Sequence, residues 1–396
     1  MTLWAQLLHF YQPPTQTHDV LRRVADESYR PLIQVLREHP SARVAVNMNG
    51  VLTEMLVEHG LGDVVDGVRE LAERGQVELV GSGKYHPVLP LLPSALRDRS
   101  IRENAETNRR YFGKAWAPGG FFPPELCFGP GVADSAQQAG HRWVLLSGVA
   151  CPAEWPTSIV YRAAANRREV AVLFRDDVRS NRVSFRETDP SRFIDDLASL
   201  DHGPGSYVVT AMDAETYGHH IRGWEREFLA KTYELIEQDS PRHRRVEPVT
   251  PSELVCRIPA GPIVEPLASS WSTTADDIAA GLGRAAPCRP LALDFGEGGQ
   301  AVDATLVARL RRVMTAQVGV VRDADGLTQA LDHIADMEEK AGASEQMLNM
   351  LAAARLIATA ALWRKESRGG HFRADYPASD PAQAHRTKLT LAEAMT

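Results

Sequence analysis

The sequence is poor in cysteine and contains no long apolar run. Its 396 residues include four scattered cysteines without a Cys-x-x-Cys spacing, namely Cys127, Cys151, Cys256 and Cys288. This arrangement disfavours structural zinc and a disulfide framework, and it predicts reduced thiols in a cytoplasm. No stretch is apolar over the length of a membrane span, and the first residues lack the basic-then-apolar pattern of a secretory leader. We therefore expect a cytoplasmic protein without membrane contact.

An excess of positive charge is also missing. The formal net charge is −7, which gives no reason to expect a nucleic acid as partner. The first predicted strand runs into His9-Phe-Tyr-Gln-Pro13, and no Gly-x-Gly-x-x-Gly follows it, as a dinucleotide-binding domain would require. A bound nucleotide cofactor is therefore not expected.

Apolar runs that predict strands alternate with helical patterns through about residue 255. The predicted strands are 3–10, 43–48, 77–80, 142–146, 170–174 and 206–212, and one long helix is predicted over roughly residues 53–74. This alternation is typical of an α/β fold with parallel strands. His9, His86, Glu125 and Asp213 each follow a strand, which favours a barrel with its site at one mouth.

The character of the chain changes after about residue 280. Residues 281–300 contain several prolines and glycines and read as a linker or fusion seam. Residues 303–316, 323–340 and 344–367 read as three helices, the third being alanine-rich and apolar. The predicted organisation is a barrel over 1–280, a seam over 281–300 and an all-helical segment over 301–396.

Two carboxylates, Asp213 and Glu125, lie in sequence contexts that are typical of catalytic residues. Asp213 ends a buried strand, and Glu215 is two residues on, so on an extended chain the two would point the same way. Glu125 follows Phe121-Phe-Pro-Pro124, an apolar and rigid setting that can tune a carboxyl group. Glu125 and Asp213 would suit a glycosidase, in which one carboxylate attacks the anomeric carbon and the other protonates the leaving oxygen. A role as turn or cap residues at strand ends stays open for each.

Five short motifs in order resemble those of glycoside hydrolase family 57. They are His9-x-x-Gln12-Pro13, Gly81-Ser-Gly-Lys-Tyr-His86-Pro, Pro124-Glu125, Asp213-x-Glu215-x-Tyr-Gly-His219 and Ser269-Ser-Trp271. The resemblance covers roughly residues 1–280. It implies a distorted (β/α)7 barrel and retaining chemistry on α-linked sugars, mostly α-glucans, with Glu125 as nucleophile and Asp213 as general acid/base.

The same resemblance implies further substrate-binding residues: His9, Gln12, His86, Glu215, His219 and Trp271. Tyr11 stands where the family often has a second histidine, and Tyr217 replaces the usual Phe, so substrate preference is open. His9 and His86 have the alternative of bonding backbone at strand ends, and Trp271 that of a core aromatic. A metal site at His219 and His220 with Asp213 and Glu215 is disfavoured, because no cysteine or spaced His-x-x-x-His accompanies them. No metal or cofactor is expected.

The tail resembles a different family. Glu366-Ser-Arg-Gly-x-His371-x-Arg373-x-Asp-Tyr-Pro377 is similar to the helical C-terminal region of L-aspartate oxidase and its fumarate-reductase relatives, over roughly residues 300–396. A flavin enzyme needs a cofactor domain that the rest of this chain does not resemble. The sequence therefore predicts a retaining glycoside hydrolase or 4-α-glucanotransferase carrying a borrowed or fused module. The alternative is a non-catalytic carbohydrate-binding or chimeric protein whose tail leaves the cleft incomplete. Oligomeric state and the choice between hydrolysis and transfer stay open.

The missing dinucleotide-binding motif generates a first prediction. The purified full-length chain, incubated with excess flavin and then desalted, is expected to retain no flavin absorbance, because the tail alone lacks the domain that holds the cofactor. A yellow protein with stoichiometric flavin would contradict this and would favour an aspartate-oxidase type of activity.

Overall fold

A computed structural model describes residues 1–166, 168–200, 205–238, 245–273, 303–319, 321–342, 344–368, 371–384 and 389–395. The whole of the predicted linker, 281–300, therefore lies outside the described residues, as does the rest of the 274–302 stretch. The chain divides into two compact units, Met1–Pro290 and Leu291–Thr396. Among the residues that the structure covers, no helix is both long and apolar enough to cross a lipid bilayer.

The first unit alternates strands with helices. The strands are β1 (Thr2–Phe10), β2 (Val44–Met48), β3 (Val77–Val80), β4 (Gly120–Phe121), β5 (Trp143–Leu146), β6 (Val160–Ala165), β7 (Arg168–Phe174), β8 (Tyr207–Asp213), β9 (Val246–Val249) and β10 (Ala260–Ile263). The helices are α1 (His18–Val24), α2 (Arg30–Glu38), α3 (Gly50–Glu58), α4 (Gly62–Glu73), α5 (Ser94–Phe112), α6 (Val132–Gln138), α7 (Asp177–Ser184), α8 (Pro190–Ser199), α9 (Lys231–Glu237) and α10 (Pro251–Arg257). π-helical turns at Ala25–Tyr29 and Glu225–Ala230 lead into α2 and α9.

Two runs of parallel strands join into a distorted barrel. One run has the order β3-β2-β1-β8, and the other contains β7-β5-β4. Gly81, after β3, connects them by donating its N–H to the Gly120 carbonyl and accepting from the Phe122 N–H, both at 2.9 Å. On the other side the Asp176 N–H donates to the Val209 carbonyl of β8 at 2.7 Å. Within the described part of the chain these contacts make a ring of seven parallel strands, which confirms the predicted fold class.

The barrel strands are buried on both faces. Odd-numbered residues of β1 pack in a cluster inside the barrel, and even-numbered residues such as Trp4 and Leu8 pack outward under the helices. This two-residue alternation is the ordinary consequence of strand geometry. Parallel strands that are buried on both faces have nearly continuous apolar sequences, which explains the apolar runs from which these strands were predicted.

One predicted helix is wrong in its extent. The stretch predicted over residues 53–74 forms two helices, α3 and α4, because the chain turns at Gly60 with φ +73°. That left-handed conformation favours glycine. The predicted end near residue 74 agrees with the structure, where α4 ends at Glu73 and Gly75 has φ +75° with its N–H donating to the Ala72 carbonyl.

The second unit is mainly helical. It contains α11 (Ala304–Gln317), α12 (Ala324–Lys340), α13 (Glu345–Trp363) and α14 (Leu391–Ala394). The first two agree closely with the predicted helices, the third ends four residues earlier than predicted, and α14 was not predicted. A short parallel pair, β11 (Val321–Arg322) with β12 (Phe372–Arg373), was not predicted. The buried guanidinium of Arg373 donates to the carbonyls of Ala361, Leu362 and Arg364 at the end of α13. The motif that resembles the oxidases thus caps a helix of its own unit.

The approach of β4 to β5 generates a stability prediction. A Cβ at Gly120 would lie 1.9 Å from Cε2 of the buried Trp143 ring. Gly120→Ala is therefore expected to lower the free energy of unfolding by about 1–3 kcal/mol or more. Gly62→Ala is the control, since its Cβ would meet only Val57 Cγ2 at 3.8 Å, and we expect a change of less than about 1 kcal/mol. Equal urea midpoints for Gly120→Ala and the wild type would disprove the packing.

Candidate active site

Strand register brings polar residues together at the carboxyl edge of the barrel. His9 of β1 is paired in register with Asn47 of β2 on one side and with Asp213 of β8 on the other. Asn47 is in turn paired with Val80 of β3. Residues paired in register point to the same face of a sheet.

The face is the inside of the barrel. In each of the three strands the alternate residues before the polar one belong to the interior cluster, namely Leu3, Ala5 and Leu7 of β1, Ala45 of β2, and Tyr207, Val209 and Ala211 of β8. His9, Asn47 and Asp213 are the next residues on that face. The interior cluster therefore ends in a polar layer at the mouth, where βα barrels gather functional side chains.

Asp213 is largely buried at the end of β8. Burial, followed by the negative charge of Glu125, raises the pKa of its carboxyl group to about 6, and the charge of Arg175 opposes this rise. Arg175 is held by hydrogen bonds to the Ala211 carbonyl at 2.8 Å, Asp177 at 2.6 Å and Asn181 at 2.9 Å. Asp213 therefore keeps a proton into the mildly acidic range, as a proton donor must.

Glu125 lies on a tight turn, Pro124–Leu126, with φ 58°. A left-handed backbone is strained for a glutamate, and such strain is found where surrounding structure holds a functional residue. Oε2 accepts a hydrogen bond from Trp271 Nε1 at 2.7 Å, and Oε1 lies 3.5 Å from His86 Nε2. The side chain is 42% exposed, so this carboxylate faces the open cleft.

Two neutral histidines lie beside Glu125. His9 and His86 approach each other with their Nε2 atoms 3.0 Å apart. Burial lowers the pKa of His9 to about 3 and that of His86 to about 4. Tyr11 stacks on His86 with ring centroids 3.9 Å apart, and Trp271 meets His9 edge to face at 6.0 Å. These two rings therefore place no positive charge beside Glu125 at neutral pH.

Glu215 is placed differently from the expectation of an extended chain. Ala214–Thr216 forms a 3₁₀ turn, so the expectation that Glu215 continues the strand direction of Asp213 is wrong. Glu215 is 4% exposed and accepts hydrogen bonds from the Tyr29 hydroxyl and, at 3.0 Å, from Gln12 Nε2. Burial, together with the charge of Asp213, raises the pKa of Glu215 to about 7, against the lowering effect of the hydrogen bonds from Tyr29 and Gln12. The partly exposed Gln12 thus pairs with the buried Glu215 next to Asp213.

His219 and Trp271 complete the predicted set. His219 Nδ1 lies 2.6 Å from Glu27 Oε2, on the loop after β8. The Trp271 backbone N–H donates to the Glu125 carbonyl at 3.1 Å, which ties its segment to the Glu125 turn. Direct contacts therefore link Glu125, His86, His9 and Trp271, and charge couples Asp213 to Glu125. In the parts of the chain with described side chains, no group of three or more His, Cys, Asp or Glu is arranged to hold a metal ion.

Sequence reasoning missed three residues of the site. Asn47 and Arg175 carried a weak signal, since each is a polar residue within or directly after an apolar run. Tyr29 carried none, because it lies in a helical stretch and reaches Glu215 from 186 residues away in the chain.

Comparison with known proteins identifies the family of the first unit. The profile described as glycosyl hydrolase family 57 matches residues 6–265. The chain belongs to this family. A second profile, described as fumarate reductase flavoprotein C-term, matches residues 341–395 of this family-57 chain.

Individual relatives also fall into two groups, family-57 enzymes and an L-aspartate oxidase. An α-amylase of Pyrococcus horikoshii is 26% identical over 239 residues, covering 56% of this chain and 36% of the amylase. An L-aspartate oxidase of Rhodospirillum rubrum is 58% identical over 87 residues, covering 22% of this chain and 31% of the oxidase. The crystal structure of 4-α-glucanotransferase from Thermococcus litoralis superposes with a TM-score of 0.61 at 24% identity, covering 68% of this chain and 42% of that one. The chain thus spans about a third of the length of the amylase and of the oxidase.

The raised pKa of Asp213 generates a prediction about stability. A carboxyl group whose pKa is raised on folding stabilises the folded state below its unfolded pKa, and this stabilisation is lost as pH rises through the folded value. Asp213→Asn is therefore expected to gain stability relative to the wild type between pH about 4 and about 6, reaching up to about 2–3 kcal/mol at pH 7. Urea unfolding at several pH values measures this difference, and a difference independent of pH would contradict it.

Proposed function

We propose that this family-57 chain cleaves α-linked glucose polymers or transfers their segments, by double displacement. The observation that carries the proposal is the contrast between two electrostatically coupled carboxyl groups at one barrel mouth. Asp213 is buried with its pKa raised to about 6, whereas Glu125 is 42% exposed and held by Trp271. Retaining glycosidases need such a division, with one carboxyl group protonated and the other charged. The names of the amylase and glucanotransferase relatives support an α-glucan as substrate.

In the first step Glu125 attacks the anomeric carbon while Asp213 gives its proton to the leaving glycosidic oxygen. The product is a covalent glycosyl-enzyme, and Asp213 is left charged. In the second step Asp213 takes a proton from water or from a sugar hydroxyl, which attacks the same carbon and releases Glu125. Water gives hydrolysis, and a sugar hydroxyl gives transfer.

The surrounding residues suit a sugar ligand. Tyr11 and Trp271 present aromatic faces and edges beside Glu125, and aromatic rings bury the apolar faces of sugars. The neutral His9 and His86 add no charge next to the carboxylates. We assign His9, His86 and Trp271 to the substrate-lining wall, with Gln12 and Glu215 behind it and His219 on the outer loop.

The proposal also covers the organisation of the chain. Residues 1–280 supply the catalytic unit, residues 281–300 are a fusion seam, and residues 301–396 are an added helical segment that takes no part in glycosyl transfer. The reaction is assigned to the cytoplasm, since the four cysteines show no disulfide framework. Neither a metal nor a flavin enters the proposed steps.

Substitution of the two carboxylates tests the proposal. Glu125→Gln is expected to lower kcat on maltooligosaccharides by at least about 10⁴-fold while the protein still binds them, because the nucleophile is lost but the cleft remains. Glu154→Gln makes the same chemical change at an exposed position and should keep wild-type activity. Normal turnover by Glu125→Gln would overturn the nucleophile assignment.

The role of Asp213 as proton donor is tested with substrates whose leaving groups differ in their need for a proton. Asp213→Asn should lose activity on maltooligosaccharides but recover formation of the intermediate on a nitrophenyl glycoside, whose leaving group needs no proton. In the wild type, kcat/KM should fall as pH rises above about 6, where Asp213 loses its proton. Wild-type protein that binds glucans without any turnover would instead support the non-catalytic carbohydrate-binding alternative.

A further inference from the structure

We propose that Asn47 is a positioning residue that sets the proton position on His9 and, through His9, places the hydrogen of His86 on Nε2, the ring nitrogen that lies 3.5 Å from Glu125. The four side chains form a continuous series from the barrel interior to the cleft. The inference rests on the proposed function for its consequence in catalysis, but its structural content, the tautomers of two histidines, does not depend on activity.

The orientation of the Asn47 amide is set by its surroundings. Asn47 is fully buried, and its Nδ2 donates to the Val80 carbonyl at 3.4 Å. A carbonyl oxygen can only accept, so a flipped amide would place two oxygens against each other. The Oδ1 atom of Asn47 therefore faces His9 Nδ1, at 2.7 Å.

This contact selects one tautomer of His9. An amide oxygen can only accept, so the Nδ1 of His9 must carry the hydrogen. His9 is 2% exposed and neutral, with its pKa lowered to about 3 by burial. A neutral imidazole protonated on Nδ1 has a bare Nε2. That bare nitrogen is the acceptor that His86 meets at 3.0 Å.

The next ring is determined in turn. A hydrogen bond between the two Nε2 atoms needs one hydrogen, and His9 does not supply it, so His86 Nε2 must. That N–H donates to His9 Nε2 at 3.0 Å, and Glu125 Oε1 lies 3.5 Å from the same His86 nitrogen. Stacking of Tyr11 on His86, with centroids 3.9 Å apart, holds the ring in this plane.

The consequence falls on the proposed nucleophile. With Asn47 in place, one oxygen of Glu125 accepts a hydrogen bond from Trp271, and the other lies 3.5 Å from a His86 nitrogen that carries hydrogen and therefore presents no lone pair to the negative charge. With the other His9 tautomer, His86 Nε2 would be bare and would turn a lone pair toward the carboxylate. Asn47 therefore acts on Glu125 from two side chains away, without touching substrate.

The test compares two substitutions of Asn47 by ¹⁵N NMR of ring-labelled histidines in the full-length chain, with signals assigned from His9→Asn and His86→Asn. The wild type is expected to carry hydrogen on His9 Nδ1 and on His86 Nε2. Asn47→Leu should lose the His9 preference, whereas Asn47→Asp keeps an acceptor oxygen and should preserve it. Asn108→Leu is the matched control, because Asn108 is also fully buried and donates to the Met48 carbonyl at 2.8 Å; it should leave both tautomers unchanged.

Kinetics on maltooligosaccharides give the second readout. Asn47→Leu is expected to lower kcat about 10- to 100-fold, the range seen when the orienting partner of a functional histidine is removed, with KM changed far less. Asn47→Asp should recover most of this loss, and Asn108→Leu should not reproduce it.

Hydrogen on His9 Nε2 in the wild type, or unchanged tautomers in Asn47→Leu, would overturn the inference. So would an equal loss of kcat in Asn108→Leu. If the wild type turned over no glycoside at all, the proposed function would fail, and the NMR comparison alone would still decide the role of Asn47.

Discussion

The register of parallel strands around β1 is the constraint on which the site depends. One row of pairing sets Asp213, His9 and Asn47 side by side on three neighbouring strands. A slip of one residue in any strand would turn its polar side chain out of the barrel. The apolar alternation of the preceding residues resists such a slip, because it would move the whole interior face of that strand into the wrong layer. The packing of the barrel thus specifies the geometry of its mouth.

Differences in burial then separate two chemically similar groups. Asp213 lies within the ring of strands, where loss of solvent favours its neutral form. Glu125 lies on a strained turn outside the ring, exposed on one side and held by an indole N–H on the other. The same fold therefore holds a carboxyl group with a raised pKa and a more exposed carboxyl group within electrostatic reach of each other, as the proposed roles of proton donor and nucleophile require. Neutral histidines between them avoid a competing positive charge.

Much of this arrangement could be predicted from the sequence, because it depends on local patterns. Hydrophobic periodicity and turn residues predict the strand before Asp213, the apolar setting of Glu125 and the helices of the tail. The 3₁₀ turn that redirects Glu215 could not be predicted, since the buried Tyr29 that receives it comes from a distant helix. Arg175 and Asn47 act through partners on other strands. Two helices were read as one because Gly60 resembles an ordinary helical glycine until its φ is known.

The central claim is that a carboxylate oxygen of Glu125 forms the covalent bond to the anomeric carbon of the sugar. A fluorinated glucosyl fluoride activates the first step and slows the second, so that the intermediate accumulates. Mass spectrometry of the digested protein is expected to find one sugar attached to the peptide that carries Glu125. A sugar attached at Asp213 or Glu215, or steady turnover of the fluoride with no labelled peptide, would contradict the account.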